Sequence, residues 1–222
     1  MNSKQKKVLV LDVGGSHVKI HLAHSHRTLK IPSGPKMTAR QMVSDVLKAT
    51  AGWNFDVVSV GFPGPVLQNR PIREPHNLGG GWVKFDFKKA FGRPIKIIND
   101  AAMQALGGHH GGRMLFLGLG TGLGSTLVLD GAVLPLELAH LPYRKGRTYE
   151  EYLGQAGLDR LGEKKWRGHV LVVAKLLKNA LIAEYVVLGG GNVRLLKKLP
   201  PGIERGENTN AMTGGQRLWH ER

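Results

Sequence analysis

The sequence contains no cysteine, which excludes a disulfide framework, a thiolate-ligated zinc site and thiol-based redox control. No apolar run approaches the roughly 18 or more residues that a membrane-crossing helix needs. The basic start, MNSKQKK, leads into Val8–Val10, a run broken at once by Asp12 and two glycines. The apolar stretch of a secretory signal is therefore missing, and a cytoplasmic location with no membrane partner is expected. Acidic residues are scarce: 16 Asp and Glu stand against 32 Lys and Arg, a formal charge of +16. Such a field attracts polyanions and speeds their capture, and nucleic acid, polyphosphate and nucleotides all answer to it. Aromatic residues make up only 6% of the chain, and the basic clusters Lys4–Lys7, Arg144–Arg147, Lys164–Arg167 and Arg194–Lys198 carry few of them. These clusters read as solvated surface, and no specific nucleic-acid partner is expected.

What is abundant is glycine, 31 of 222 residues, and much of it stands at the ends of apolar segments. The length allows one bilobal unit or two small domains, either able to bury a core. In Phe116–Leu141 (FLGLGTGLGSTLVLDGAVLPLELAHL) a strand over Met114–Leu119 runs into the Gly120–Gly124 turn, where Thr121 adds a hydroxyl. Missing Cβ atoms there let backbone N–H groups approach an anion. A second strand follows, Asp130-Gly131 gives the strongest short hairpin signal, and Glu137 and His140 close the segment.

The start of the chain repeats the arrangement. Lys7–Asp12 is a strand, Gly14-Gly15-Ser16 a turn and Val18–Ala23 an alternating strand, with Asp12 placed to hold a hydrated Mg²⁺ or simply to sit on a hairpin surface. Neither GxxxxGK[ST] nor GxGxxG is present, so this is a different phosphate device. A third strand is expected over Arg27–Ile31, and Thr38 caps a helix with Met42, Val46, Leu47 and Ala49 on one face. Phe55–Gly61 returns as a strand, and the segment from Phe62 to Trp82, rich in Pro and Gly, reads as a long loop. After a strand over Pro94–Ile98, Asp100 either caps a helix beginning at Ala101 or serves as a general base at the strand end. His24, His26, His109 and His110 read as loop histidines rather than metal ligands. Lys164–Leu181 is a long helix and Tyr185–Leu188 a buried strand. Gly189–Asn192 is a third glycine turn able to admit a nucleotide's ribose or base face. A basic helix over Val193–Leu199 and a last helix over Asn208–Trp219 complete the reading.

Six motifs stand in one order: LDVGGSHVK (11–19), GFPGPV (61–66), IINDAAMQAL (97–106), LGLGTGLGSTLVLDGAVLPLELAHL (117–141), TYEEYLG (148–154) and VVLGGGN (186–192). Together they resemble the ROK family of sugar kinases and related regulators, within the actin-like ATPase and hexokinase superfamily. The polyphosphate glucokinase branch is the nearest likeness, through KKW (164–166) and ENTNAMTGGQRLW (207–219). The resemblance implies an α/β fold of two RNase H-like lobes around a central cleft. The first lobe would span residues 1–98, with a C-terminal helix of about 207–222 packing back on it, and the second residues 99–206. It implies Asp100 as catalytic base, with Asn99, Glu137, His140, Glu150 and Gly64 on the sugar. Phosphate or nucleotide would be held by Asp12, Gly14, Gly15, Ser16, His17, Lys19, Gly120, Thr121, Gly122, Gly124, Gly189, Gly190, Gly191 and Asn192, with Asp12 near Mg²⁺ through water.

The implied activity is transfer of a phosphoryl group from ATP, inorganic polyphosphate or both to the 6-hydroxyl of glucose, by a homodimer that needs no zinc. The zinc loop of many members and the DNA-binding extension of the repressors are both missing, so a transcription factor is not expected. One departure stands out: ELAHL places Ala139 where the family has glycine. Its Cβ is expected to intrude there and displace His140. A catalytically impaired protein that still binds sugar or polyphosphate is the competing expectation.

Overall fold

The computed structural model describes residues 6–207 and 209–220. Lys4 of the first basic cluster and Asn208 of the last motif lie outside them. Two compact units are present, one drawn from Met1–Met103 with Ala211–Arg222, the other from Gln104–Asn210. The boundary falls after Met103, so Asn99 and Asp100 belong to the first unit.

The first unit contains β1 (Val8–Val13), β2 (His17–Leu22), β3 (Thr28–Pro32), α1 (Ala39–Ala49), β4 (Val57–Phe62), β5 (Val66–Leu67), β6 (Arg70–Pro71), α2 (Phe87–Phe91) and β7 (Ile95–Asn99), then the start of α3 (Asp100–Gly108). Its sheet runs β3-β2-β1-β4-β7, antiparallel through the first three strands and parallel through the last two pairings. Every residue of β1 and β4 is buried, as central strands covered on both faces require. Thr38 caps α1 by accepting from the Gln41 N–H, but the helix buries Ala39, Met42, Val43 and Val46 and leaves Leu47 exposed. The long segment after Phe62 is more ordered than its composition suggests. It carries the β5–β6 hairpin, Asn69 bonds the β7 edge at Ile95 and Ile97, and Trp82 is fully buried against Phe62 and Phe87. Glu74 accepts from the Trp82 and Val83 N–H groups and fastens this loop.

The second unit repeats the plan. It holds β8 (Arg113–Leu119), β9 (Leu123–Leu129), β10 (Ala132–Leu136), β11 (Pro142–Arg144), β12 (Arg147–Thr148), α4 (Tyr149–Leu153), α5 (Gln155–Leu161), α6 (Glu163–Ala180), β13 (Tyr185–Gly189) and β14 (Ile203–Arg205). Its sheet order, β10-β9-β8-β13-β14, has the same antiparallel and parallel pattern as the first. Asp130 and Gly131 both have positive φ, 50° and 77°, as a type I′ hairpin demands. Trp166 of α6 is fully buried and donates through Nε1 to Leu153 O at 2.9 Å.

Two elements differ from expectation. The segment after Gly190 is a short 3-10 turn, Gly191–Leu195, rather than a helix through Leu199: Val193 and Leu196 turn into the core, and the chain leaves in an extended conformation at Leu196. The final helix is α7 (Asn210–Arg217). It is docked by Ser59, whose hydroxyl donates to Gly215 O at 2.6 Å and accepts from Trp219 Nε1 at 2.9 Å. Lys96 adds a bond to Leu218 O and lies 4.8 Å from the Trp219 ring centroid.

Candidate active site

In the first unit the expected residues converge at the C-terminal ends of β1, β4 and β7. Asp12 faces Lys19 across the β1–β2 ladder and Gly61 across the β1–β4 ladder, and Gly61 in turn pairs with Ile98. Lys19 Nζ lies 3.0 Å from Asp12 Oδ2. The β1–β2 turn is closed by the Gly14 N–H to His17 O at 3.0 Å and held from outside by Ser33, whose hydroxyl donates to Gly14 O at 2.6 Å. Ser16 and His17 are exposed at its tip.

Helix α3 begins at Asp100, one residue before the expected start, and the side chain that caps it belongs to Asn99, which accepts from the Ala102 N–H at 3.1 Å. Asn99 Nδ2 donates to Gly64 O at 3.1 Å, so the GFPG turn and the head of α3 are one bonded unit. Asp100 accepts from the Ala101 N–H at 2.8 Å. Burial, then repulsion from Asp12, push its carboxyl up to about 7, against the smaller opposing pull of backbone N–H groups and of Lys19.

In the second unit the position that matches Asp12 is Gly118, which pairs with Gly124 and Gly189 where Asp12 pairs with Lys19 and Gly61. The shared fold therefore carries charge at this point in one unit and glycine in the other. The turn over Gly120–Gly122 is closed by the Gly120 N–H to Gly122 O at 3.1 Å. Glu150 Oε2 accepts from the Leu123 N–H at 3.0 Å and occupies the space that a Cβ on Gly122 would need. A capping box between Thr148 and Glu151 starts α4 and so sets the position of Glu150. Among the described residues no acceptor stands opposite the Thr121 and Gly122 N–H groups, an arrangement suited to anion oxygens.

Gly190 has φ 84°, and any side chain there would run into the Leu119 backbone. Asn192 is buried, and its Nδ2 donates to Gln155 Oε1 at 3.0 Å and Gly120 O at 3.4 Å. Gln155 was not singled out by the sequence reading, because its role depends on partners far away in the chain.

Glu137 and His140 stand 3.8 Å apart with side chains 71% and 72% exposed, open to a polar ligand. Ser125 ties this segment to β9 by donating to Leu136 O and accepting from the Leu138 N–H. Ala139 lies in the 3-10 turn Leu138–His140 with its side chain buried in the core of the second unit. Its φ is not positive, so the backbone does not require glycine. The methyl group packs into that core, while the His140 side chain stays exposed.

The sequence pattern that defines the ROK family matches residues 8–135, more than half of the chain. The chain belongs to the ROK family. Within this ROK family, the chain is 25% identical over 217 residues to the polyphosphate glucokinase of Mycobacterium tuberculosis, covering 87% of this chain and 81% of that one. Its fold is similar to the crystal structure of an inorganic polyphosphate/ATP-glucomannokinase from Arthrobacter sp. strain KM, with a TM-score of 0.78 and 21% identity over 97% of this chain and 100% of the other. The ROK hexokinase of Thermus thermophilus superposes with a TM-score of 0.68 and 22% identity, covering 95% and 96% of the two chains. These likenesses place the ROK chain in the two-lobed α/β architecture and point toward the polyphosphate glucokinase branch. No described helix is long and apolar enough to cross a membrane.

Proposed function

We propose that this protein is a sugar kinase that transfers the terminal phosphoryl group of inorganic polyphosphate, ATP or both to the 6-hydroxyl of glucose. The observation that carries the reading is Asp100. It sits at the head of α3, beside the Asp12–Lys19 pair, with its carboxyl pushed up to about 7. A base in that range is matched to accepting a hydroxyl proton near neutral pH. Asn99, Glu137, His140 and Glu150 supply hydrogen-bonding groups of the kind a sugar ring needs, and the chain's relatives named above include kinases of glucose and other hexoses.

Mg²⁺ is part of the proposal. Among the described residues no group of three or more His, Asp or Glu side chains forms a protein cage for a metal. Asp12 fits the other mode, in which Mg²⁺ keeps several waters and is held by one or two carboxylates and the donor's own phosphates. When bound, the ion neutralises charge on the donor phosphates. The chain's residues do the remainder. Asp100 takes the proton from the sugar hydroxyl, Lys19 balances Asp12 and offers a cation to phosphate, and the Thr121 and Gly122 N–H groups receive phosphate oxygens. Transfer then rests on positioning and charge stabilisation, with no covalent intermediate on the protein. A homodimer belongs to the same proposal, with no zinc requirement. In this proposal Ala139, whose side chain packs in the core of the second unit, is compatible with activity, and a chain that binds sugar or polyphosphate without turnover is the competing reading. The test is a coupled glucose phosphorylation assay with Mg²⁺ and each donor in turn, and absence of turnover with any hexose in folded protein would overturn the reading.

A further inference from the structure

Two of the glycine turns in the second unit are bonded to each other through one side chain. The Gln155 backbone N–H donates to Thr121 O at 3.1 Å, and Gln155 Oε1 accepts from Asn192 Nδ2 at 3.0 Å. Asn192 closes the circuit by donating to Gly120 O at 3.4 Å. The amide of Gln155 is itself aimed, because its Nε2 donates to Asp159 Oδ1 one turn along α5 at 2.8 Å. Two successive carbonyls of the first turn, Gly120 and Thr121, thus both accept from protein donors. The N–H groups of Thr121 and Gly122 have no acceptor among the described residues.

From this geometry we infer that Gln155, acting through Asn192, is a positioning residue for the phosphoryl donor: it locks the Gly120–Gly122 and Gly189–Asn192 turns into one preformed cradle for phosphate oxygens. A glycine turn without such a tie samples many backbone conformations, and ordering it on binding costs affinity. The side-chain bridge holds that order before the ligand arrives. The inference rests on the phosphate-binding reading of these turns, and it predicts an effect on the donor that spares the sugar.

The experiment is titration calorimetry of the full chain with Mg-AMPPNP, with inorganic tripolyphosphate and separately with glucose. It compares the unaltered protein with Gln155→Met, Asn192→Ala, the double variant of these two, and Gln155→Glu combined with Asp159→Asn. Gln155→Met removes the acceptor at similar length; the exchanged pair Gln155→Glu with Asp159→Asn keeps the acceptor for Asn192, a donor–acceptor contact along α5 and the net charge. Donor binding is expected to weaken about fivefold to tenfold in Gln155→Met, the size of one lost hydrogen bond. Glucose binding stays unchanged, the exchanged pair keeps most of the donor affinity, and the Gln155→Met/Asn192→Ala double variant is no weaker than the worse single variant, as coupled partners require. Additive losses, equal weakening of glucose and donor, or unchanged donor binding would each overturn the inference. Failure of the kinase reading looks different: the unaltered chain would bind both ligands and form no sugar phosphate. An unaltered chain that binds neither donor overturns both.

Discussion

Asp12 raises Asp100. Burial is the larger cause of the Asp100 shift to about 7, and the negative charge of Asp12, itself paired to Lys19 at 3.0 Å, is the second. Burial first, and then repulsion from the Asp12 carboxylate, leave Asp100 with a higher affinity for a proton than a free carboxyl has. The rate of phosphoryl transfer should therefore rise with pH through about 7 and then level off, because the base works only when deprotonated. A flat profile between pH 5 and 8 would contradict the assignment.

The same shift has a consequence for stability, with the opposite slope. The folded value lies above the ordinary 3.8, so the folded state binds the extra proton. The contribution of neutral Asp100 is full below about pH 4 and is lost as pH rises through about 7. Asp100→Asn keeps the shape without the charge. Thermal melts should show this variant equal to the parent at pH 4 and more stable at pH 8, and a variant less stable at pH 8 would count against a strained carboxylate.

Lys19→Met removes a charge that favours ionised Asp100 and leaves Asp12 without its partner. The acid limb of the pH–rate profile should move to higher pH, and the melting temperature should fall, because Asp12, only 11% exposed, is left a buried carboxylate without its cation. An unmoved limb would show that Lys19 does not act on Asp100.

Ala139→Gly restores the residue expected at this place in the family. The Ala139 methyl group is buried, and its backbone does not use the left-handed region. The substitution should cost stability, on the order of 1 kcal/mol from lost packing and added chain entropy, with no gain in turnover. A marked rise in activity would return Ala139 to the list of defects.

Ser59→Ala tests how the last helix is docked. The hydroxyl serves both Gly215 O and Trp219 Nε1 and is fully buried, so its loss leaves two polar groups unpaired. A stability loss of about 1–3 kcal/mol in denaturant unfolding is expected; a neutral variant would mean that water replaces the hydroxyl.

Much of the fold was legible because it is written in short-range signals. Asp130-Gly131 specifies its hairpin by backbone preference alone, and the alternation of Val18, Ile20 and Leu22 sets the face that β2 buries. The head of α3 was harder to read, because Asn99 and Asp100 are adjacent residues of the same capping type, and only the bond from the Ala102 N–H to Asn99 separates their duties. The segment Val193–Leu199 has helical composition, but the anchoring of Val193 and Leu196 in the core holds it to a single 3-10 turn. Gln155 carries no local signal at all. Its importance lies in bonds to Thr121 and Asn192, which topology alone brings within reach.

Glucose phosphorylation measured with ATP and with polyphosphate, in the parent and in Asp100→Asn, tests the kinase assignment most directly. The parent should form glucose 6-phosphate with at least one donor, and Asp100→Asn, still folded and still binding glucose, should be slower by on the order of 10² or more. A folded parent that phosphorylates no hexose, or an Asp100→Asn variant that keeps the parental rate, would contradict it.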